Sequence, residues 1–150
     1  MTERLDFAVR IEIVRSDPAV ALPAYAREGD AGLDLAAAVT VTLEPGGREL
    51  VPTGLRVAIA DGYAGLVMPR SGLALRSGVT VLNAPGLIDS GYRGEIGVLL
   101  VNHGARPVVI QRGERIAQLV IQPVARAELV EVRELPGSRR GEGGFGSTGA

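Results

Sequence analysis

The stretch Asn-Ala-Pro-Gly-Leu-Ile-Asp-Ser-Gly-Tyr-Arg-Gly-Glu, residues 83–95, places a carboxylate and a tyrosine in a glycine-rich turn that follows an apolar segment. Glycine supplies the positive φ angles that a tight turn between two strands requires. Such a turn does not require an acid, an aromatic ring and a guanidinium so close together. We therefore interpret Asp89 as a functional residue.

On both sides of this turn, apolar residues recur at every second position, which is typical of half-buried strands. A standard helical stripe is absent, and one helical turn is expected at residues 71–75. Gly and Pro, 21 and 9 in number, bound the apolar segments, so the spacing indicates an all-β sandwich or barrel. The predicted strands are residues 9–13, 39–43, 55–59, 63–68, 96–100, 107–111, 116–122 and 127–133.

The chain of 150 residues has the length of one domain, and neither an internal repeat nor a linker divides it. Residues 137–150 are rich in glycine and polar side chains, which cannot form a packed element alone. We predict a domain over residues 1–136 and a flexible C-terminal tail over residues 137–150.

The composition excludes several classes of function. Cysteine is absent, so disulfides, thiolate metal sites and a cysteine nucleophile are excluded, and nothing indicates an oxidising compartment. The start lacks a signal-peptide pattern and no apolar run approaches the ~20 residues of a membrane span, so we expect a soluble, cytoplasmic protein. All 16 basic residues are arginine, which excludes Schiff-base lysine chemistry. The net charge of −1 argues against duplex nucleic acid as a partner.

The single histidine, His103, lies in a predicted turn, and the chain has no Gly-x-Ser-x-Gly motif for a serine hydrolase. No cluster of histidine and cysteine could bind zinc. A metal would therefore be bound by oxygen atoms and carried in by a phosphate, which makes Mg²⁺ the natural choice.

Two segments combine arginine, hydroxyl groups and glycine, a combination that suits phosphate oxygens. Residues 69–74 follow a predicted strand, although a simple turn with a serine cap would also explain them. Residues 141–148 match the phosphate-loop pattern except that Ser147 replaces its lysine, and no strand leads in, so we reject a Walker A loop. A disordered end would explain the tail, but Phe145 among glycines indicates a lid over a flat base.

Two polar side chains fall inside apolar strands. Asp34 needs a partner, because an unpaired buried charge is costly. That partner is either an arginine or a hydrated Mg²⁺, in which case Asp34 would lie in the outer shell of the ion. Gln118 either joins a site or satisfies a neighbouring backbone group.

Taken in order, five segments resemble the five motifs of the trimeric deoxyuridine triphosphate nucleotidohydrolases, the dUTPases. The resemblance extends over about 120 residues and includes residues 31–35, 69–74, 83–95, 113–119 and 140–149. It implies a jelly-roll-like distorted β-barrel, assembled as a homotrimer whose active sites are shared between chains. It also implies hydrolysis of dUTP to dUMP and pyrophosphate, which limits uracil in DNA and supplies dUMP for thymidylate synthesis.

The resemblance assigns a role to each matching residue. Asp89 would be the general base that orients water towards the α-phosphorus, and Tyr92 would lie under the deoxyribose and exclude a 2′-hydroxyl. The uracil would be read by Asn83 and the backbone of Leu87 and Ile88. The α- and β-phosphates would be contacted by Arg70, Ser71, Gly72 and Gln118, and the γ-phosphate by Arg140, Gly146, Ser147 and Thr148. Phe145 would form a lid over the uracil. Asp34 would help to hold the hydrated Mg²⁺.

Gly97 departs from the many bacterial members that carry lysine or another longer residue there, so a minor substrate contact is expected to be missing. Two alternatives remain beside dUTP hydrolysis. A dCTP deaminase shares the fold, but it needs a glutamate at the pyrimidine 4-position for which we see no match. A nonenzymatic nucleotide-binding module could dispense with Asp89 and the tail, which are both present.

Overall fold

The computed structural model describes residues 8–149, so the predictions for residues 1–7 and residue 150 lie outside the described residues. These described residues form ten strands and one short helix. The elements are β1 Glu12–Arg15, β2 Leu33–Ala36, β3 Val41–Leu43, β4 Arg48–Ala58, β5 Tyr63–Pro69, α1 Ser71–Ser77, β6 Val79–Val81, β7 Gly86–Ile88, β8 Glu95–Asn102, β9 Val108–Ile110 and β10 Arg115–Pro123.

The strands form three antiparallel sheets. One four-stranded sheet has the order β1-β4-β8-β6, the other has the order β2-β10-β5-β7, and β3 pairs with β9. Neighbours in the sheets are mostly distant in sequence, as in a jelly roll rather than a meander. The all-β, jelly-roll-like fold predicted from the sequence is confirmed.

The core between the sheets is aliphatic, because most of the alternating strand residues that face inward are Val, Leu and Ile. Val51 and Val98, opposite each other on β4 and β8, are fully buried. Burial of each such side chain contributes about 1.5–3 kcal/mol. The largest fully buried side chains are Leu35, Leu43, Leu55, Ile96, Leu100, Ile110, Ile116 and Leu119.

The predicted strand at 127–133 is wrong for this chain. Within residues 8–149, no strand pairs with it, and Leu129 and Val130 are largely exposed. An apolar segment bounded by turn residues does not by itself make a strand, because the backbone also needs a partner for its hydrogen bonds. The expected helical turn is present and extends to the two turns of α1, which is capped by Gly78 with φ of 69°.

Candidate active site

The stretch 83–95 forms one wall of a pocket between the edges of the two four-stranded sheets, where β6 and β7 are the edge strands. The pocket encloses about 160 Å³. An apolar cavity of about 150 Å³ holds a benzene ring, so this volume suits a single six-membered ring. Five residues predicted from the sequence line it: Asn83, Leu87, Ile88, Asp89 and Tyr92.

The floor of this pocket is built by β7, which among residues 8–149 pairs only with β5 and leaves its other edge unpaired. An edge strand presents free N–H and C=O groups, which can pair with the polar edge of a flat ligand. Asn83 adds a side-chain amide close by, and its Nδ2 atom would be 3.4 Å from a methyl group on Gly86. The peptide bond between Ala84 and Pro85 is cis.

Tyr92 is fixed by its own turn. Its hydroxyl donates a hydrogen bond of 2.9 Å to the carbonyl oxygen of Glu95, and its ring lies over Gly94. A methyl group at Gly94 would be 2.6 Å from the ring carbon Cζ, which is too close for any real contact. Gly94 is therefore required for the position of Tyr92, and the sequence reasoning did not single it out.

Asp89 lies at the exposed mouth of the pocket, one residue beyond β7. Its backbone oxygen accepts a hydrogen bond from Tyr92 N–H at 3.1 Å, which closes the turn. Among residues 8–149 no hydrogen bond or ion pair engages its carboxylate. An accessible carboxylate without a protein partner can accept a hydrogen bond from a water molecule, as a general base must.

Gly97 also lines this pocket. A Cβ atom at this position would be 2.7 Å from Cδ1 of Leu50 on the neighbouring strand β4. The side chain of Leu50 thus occupies the space that a longer residue at position 97 would need.

A second depression, of about 630 Å³, lies beside the start of α1. Five further residues predicted from the sequence line it: Asp34, Arg70, Ser71, Gly72 and Gln118. Arg27 and Arg115 line it as well, and sequence reasoning gave neither of them a role. With three arginines against Asp30 and Asp34, its wall has an excess of positive charge, which suits an anionic ligand.

Register explains why distant residues meet in this depression. Asp34 on β2 is opposite Gln118 on β10, which is opposite Met68 on β5, so the three side chains point to the same face of the sheet. Gln118 donates a hydrogen bond of 3.3 Å from Nε2 to the Pro69 carbonyl oxygen. Gly32 leaves room for it, since a Cβ there would be 2.9 Å from Gln118 Oε1.

Asp34 has arginine partners on both sides. Its Oδ2 atom is 3.1 Å from Nη1 of Arg115, and its Oδ1 atom is 3.6 Å from Nε of Arg70. The arginine-pair interpretation of Asp34 is therefore confirmed. Each carboxylate oxygen can accept more than one hydrogen bond, so these contacts leave room for a water molecule as well.

The two pockets lie on opposite faces of the sheet β2-β10-β5-β7. Val67 lines the first pocket and Met68, the next residue of β5, lines the second. Successive side chains of a strand point to opposite faces. Among the described residues none lines both pockets, so Asp89 and Arg70 line different pockets of this chain.

The tail, residues 137–149, has no strand or helix, and Phe145 is fully exposed with φ of 50°. The hydrogen bonds present there join tail residues to one another; for example, Arg140 Nε donates to the carbonyl oxygen of Gly143 at 2.7 Å. The structure thus does not bring the predicted tail residues Arg140, Phe145, Gly146, Ser147 and Thr148 to either pocket of the same chain.

Within residues 8–149, no group of three or more His, Cys, Asp or Glu side chains could hold a metal ion. The hydrogen bond from Ala19 N–H, at 2.7 Å, lowers the pKa of Asp17, but this exposed carboxyl lines neither pocket. No helix of this part of the chain has the length and apolar character needed to cross a membrane.

Comparison with known proteins assigns these features to a family. The family model described as dUTPase matches residues 19–149. The deoxyuridine 5'-triphosphate nucleotidohydrolase of Anaeromyxobacter sp. is 63% identical over 132 residues, which cover 88% of this chain and 90% of that protein. The enzyme of the same name from Thermobifida fusca is 61% identical over 142 residues, which cover 94% of this chain and 79% of that protein.

Solved structures agree with the sequence relatives. A variant of the Staphylococcus bacteriophage 80alpha dUTPase with dUpNHpp superposes with a TM-score of 0.87 at 31% identity, covering 94% of this chain and 99% of that one. A variant dUTPase from phage phi11 of S. aureus, described with a structural Mg(II) ion, gives a TM-score of 0.77 at 27% identity. The match covers 83% of this chain and 97% of that one.

Proposed function

The chain belongs to the dUTPase family, and we propose that it hydrolyses dUTP to dUMP and pyrophosphate. The observation that carries this proposal is the first pocket, where a cavity suited to one six-membered ring opens beside Asp89, whose carboxylate has no protein partner among residues 8–149. A pyrimidine would lie in the cavity while its phosphates extend past Asp89.

The reaction follows from these positions. The unpaired N–H and C=O groups of β7 and the amide of Asn83 bind the pairing edge of uracil. Backbone groups held in a sheet cannot move to accept a mismatched base, so they reject a 4-amino group strongly. Asp89 removes a proton from the water that attacks the α-phosphorus, and the bond to the bridging oxygen of the β-phosphate breaks to release pyrophosphate. A positioned base contributes about 10²–10⁴ in rate.

The second depression binds the phosphates. Arg70 supplies a planar guanidinium suited to paired phosphate oxygens, while Ser71, Gly72 and Gln118 add neutral donors. Mg²⁺ would be held mainly by the phosphates of the substrate, with Asp34 accepting hydrogen bonds from its water molecules. The bound ion would neutralise the charge that accumulates on the leaving pyrophosphate.

We propose a homotrimer with shared sites, because the two pockets lie on opposite faces of one sheet. Among residues 8–149 the two pockets share no lining residue, so we propose that Asp89 of one chain meets Arg70 of another at each site. Apolar side chains exposed on each chain support an assembly that would cover them. Among them are Leu50, Leu87, Leu129, Val130 and Leu135.

We further propose that residues 1–136 act as the barrel domain and residues 137–150 as a tail that closes over a site of the assembly. Phe145, fully exposed in this chain, offers a ring that can stack on uracil. Arg140, Gly146, Ser147 and Thr148 would then contact the γ-phosphate. The glycines around Phe145 let the backbone follow the ligand closely.

The decisive experiment incubates the purified protein and Mg²⁺ with dUTP, and separately with dCTP, and measures pyrophosphate and ammonia. We expect pyrophosphate from dUTP and no ammonia from dCTP. Ammonia release would identify the deaminase alternative. Specific binding of dUTP without any product would identify a nonenzymatic module.

A further inference from the structure

A β-bulge at the start of β10 places Arg115 outside the core. Arg115 is opposite Ala36 on β2, while Ala117 is opposite Leu35, so two steps along β10 correspond to one step along β2. Ile116 and Ala117 are consequently both buried. In a regular strand Arg115 would share the inward face of Ala117, and the bulge turns it to the opposite face instead, where Asp34 lies.

Arg115 contacts Asp34 and Arg70, and the three residues form a charged cluster. Its Nη1 atom donates to Asp34 Oδ2 at 3.1 Å, and its carbonyl oxygen accepts a hydrogen bond from Arg70 Nη1 at 3.1 Å. Arg70 Nε is 3.6 Å from the other oxygen of Asp34. One end of the Arg70 guanidinium is therefore fixed by the backbone of Arg115, and the other end faces the carboxylate that Arg115 holds.

The charges of the cluster depend on Arg115. Asp34 and Arg70 alone form a neutral pair, and their side chains are only 16% and 26% exposed, so the carboxylate would offset the cation that a phosphate needs. Arg115, 54% exposed, adds a second positive charge and binds the distal oxygen of Asp34. The cluster then has a net positive charge directed at the depression.

We propose that Arg115 is a positioning residue for nucleotide binding, which acts through Asp34 to keep the guanidinium of Arg70 available to the phosphates. The inference rests on the proposed function. Without the Arg115 side chain, Asp34 would pair fully with Arg70, and the phosphates would compete with a carboxylate for the same donors. The guanidinium of Arg115 need not touch the substrate for this effect.

The test is a double-mutant cycle between Arg115→Gln and Asp34→Asn, with KM and kcat for dUTP measured at saturating Mg²⁺. Arg115→Gln alone should raise KM about tenfold, as for a lost charge-assisted hydrogen bond, and change kcat less than about threefold. In the Asp34→Asn background, the same change should raise KM less than about threefold, because no carboxylate remains to capture Arg70. Arg115→Lys, which keeps the charge without the planar fork, should lie between.

Arg10→Gln is the matched control, since it removes the same charge at an exposed residue that lines neither pocket. It should leave both constants unchanged. Titration with dUpNHpp should rank the variants by Kd in the same order in which the kinetics rank them by KM for dUTP. If Arg115→Gln is unstable, the comparison of Arg115→Lys with and without Asp34→Asn carries the same test.

Two failures can be told apart. If the wild-type protein releases no pyrophosphate from dUTP, the proposed function fails. If the wild type is active and Arg115→Gln raises KM equally in both backgrounds, or not at all, the role of Arg115 through Asp34 is overturned.

Discussion

Gly94→Ala is predicted to weaken the discrimination between dUTP and UTP by moving Tyr92. The added methyl group would be 2.6 Å from Cζ and 2.9 Å from Cε2 of the ring, whereas carbon atoms in contact are about 3.5–4.0 Å apart. The ring must therefore move by about 1 Å. Gly94 is not among the residues with positive φ, so alanine fits its backbone and the effect is confined to this contact.

The displaced ring would lose the hydrogen bond from its hydroxyl to Glu95, which contributes about 0.5–1.5 kcal/mol. Tyr92 is 46% exposed and can swing outward, so the fold should survive. Misplacement of about 1 Å in a reacting complex can reduce turnover by about 10²-fold. If Tyr92 excludes a 2′-hydroxyl, as the family resemblance implies, the moved ring leaves space for that group and UTP should lose less than dUTP. We expect the ratio of the two kcat/KM values to fall at least about tenfold.

The assay is pyrophosphate release from dUTP and from UTP, each at concentrations below KM. Gly91→Ala is the matched control, because it lies in the same turn and a methyl group there would have no atom within 4 Å. An unchanged ratio in Gly94→Ala, or an equal fall in Gly91→Ala, would refute the role assigned to the contact between Gly94 and Tyr92.

The other predictions concern the base, the lid and the metal. Asp89→Asn should lower kcat by roughly 10² or more while dUpNHpp still binds, as measured by steady-state kinetics and calorimetry; near-normal turnover would exclude Asp89 as the base. Phe145→Ala should weaken binding of dUpNHpp by about 1–3 kcal/mol in a calorimetric titration, and an unchanged Kd would show that the ring does not stack on the base. Chelation with EDTA should suppress pyrophosphate release, and added Mg²⁺ should restore it; full activity in EDTA would contradict the assignment of the metal.

The sequence predicted the fold where local pattern and tertiary pairing agree. Residues 96–100, where Ile96, Val98 and Leu100 alternate with other positions, lie in β8, and the apolar residues 116–122 lie in β10. Residues 127–133 are also rich in apolar side chains but have no partner strand in the described chain. The strand β6, Val79–Val81, has three residues, which is too short for alternation to distinguish it from a loop.

The candidate site was predictable in its residues but not in its arrangement. Asp89 and Tyr92 stand out because a plain turn needs neither. Arg115 was missed because a bulge turns it to the outer face of the sheet, and a bulge leaves no mark in one sequence. The opposite orientation of Val67 and Met68 follows from the period of a strand, but their partners on β7 and β10 depend on strand register, which only the folded structure shows.

Restoration of activity between two inactive variants tests the central claim, a dUTP-hydrolysing site built from two pockets on different chains. Asp89→Asn and Arg70→Gln would be produced separately and together in equal amounts, and pyrophosphate release from dUTP measured for each preparation. Random assembly should combine the intact Asp89 of one chain with the intact Arg70 of another, which restores roughly a quarter of the wild-type rate. Activity of the mixed preparation no greater than that of the separate variants would contradict the account, because it would mean that each chain carries both residues of its own site.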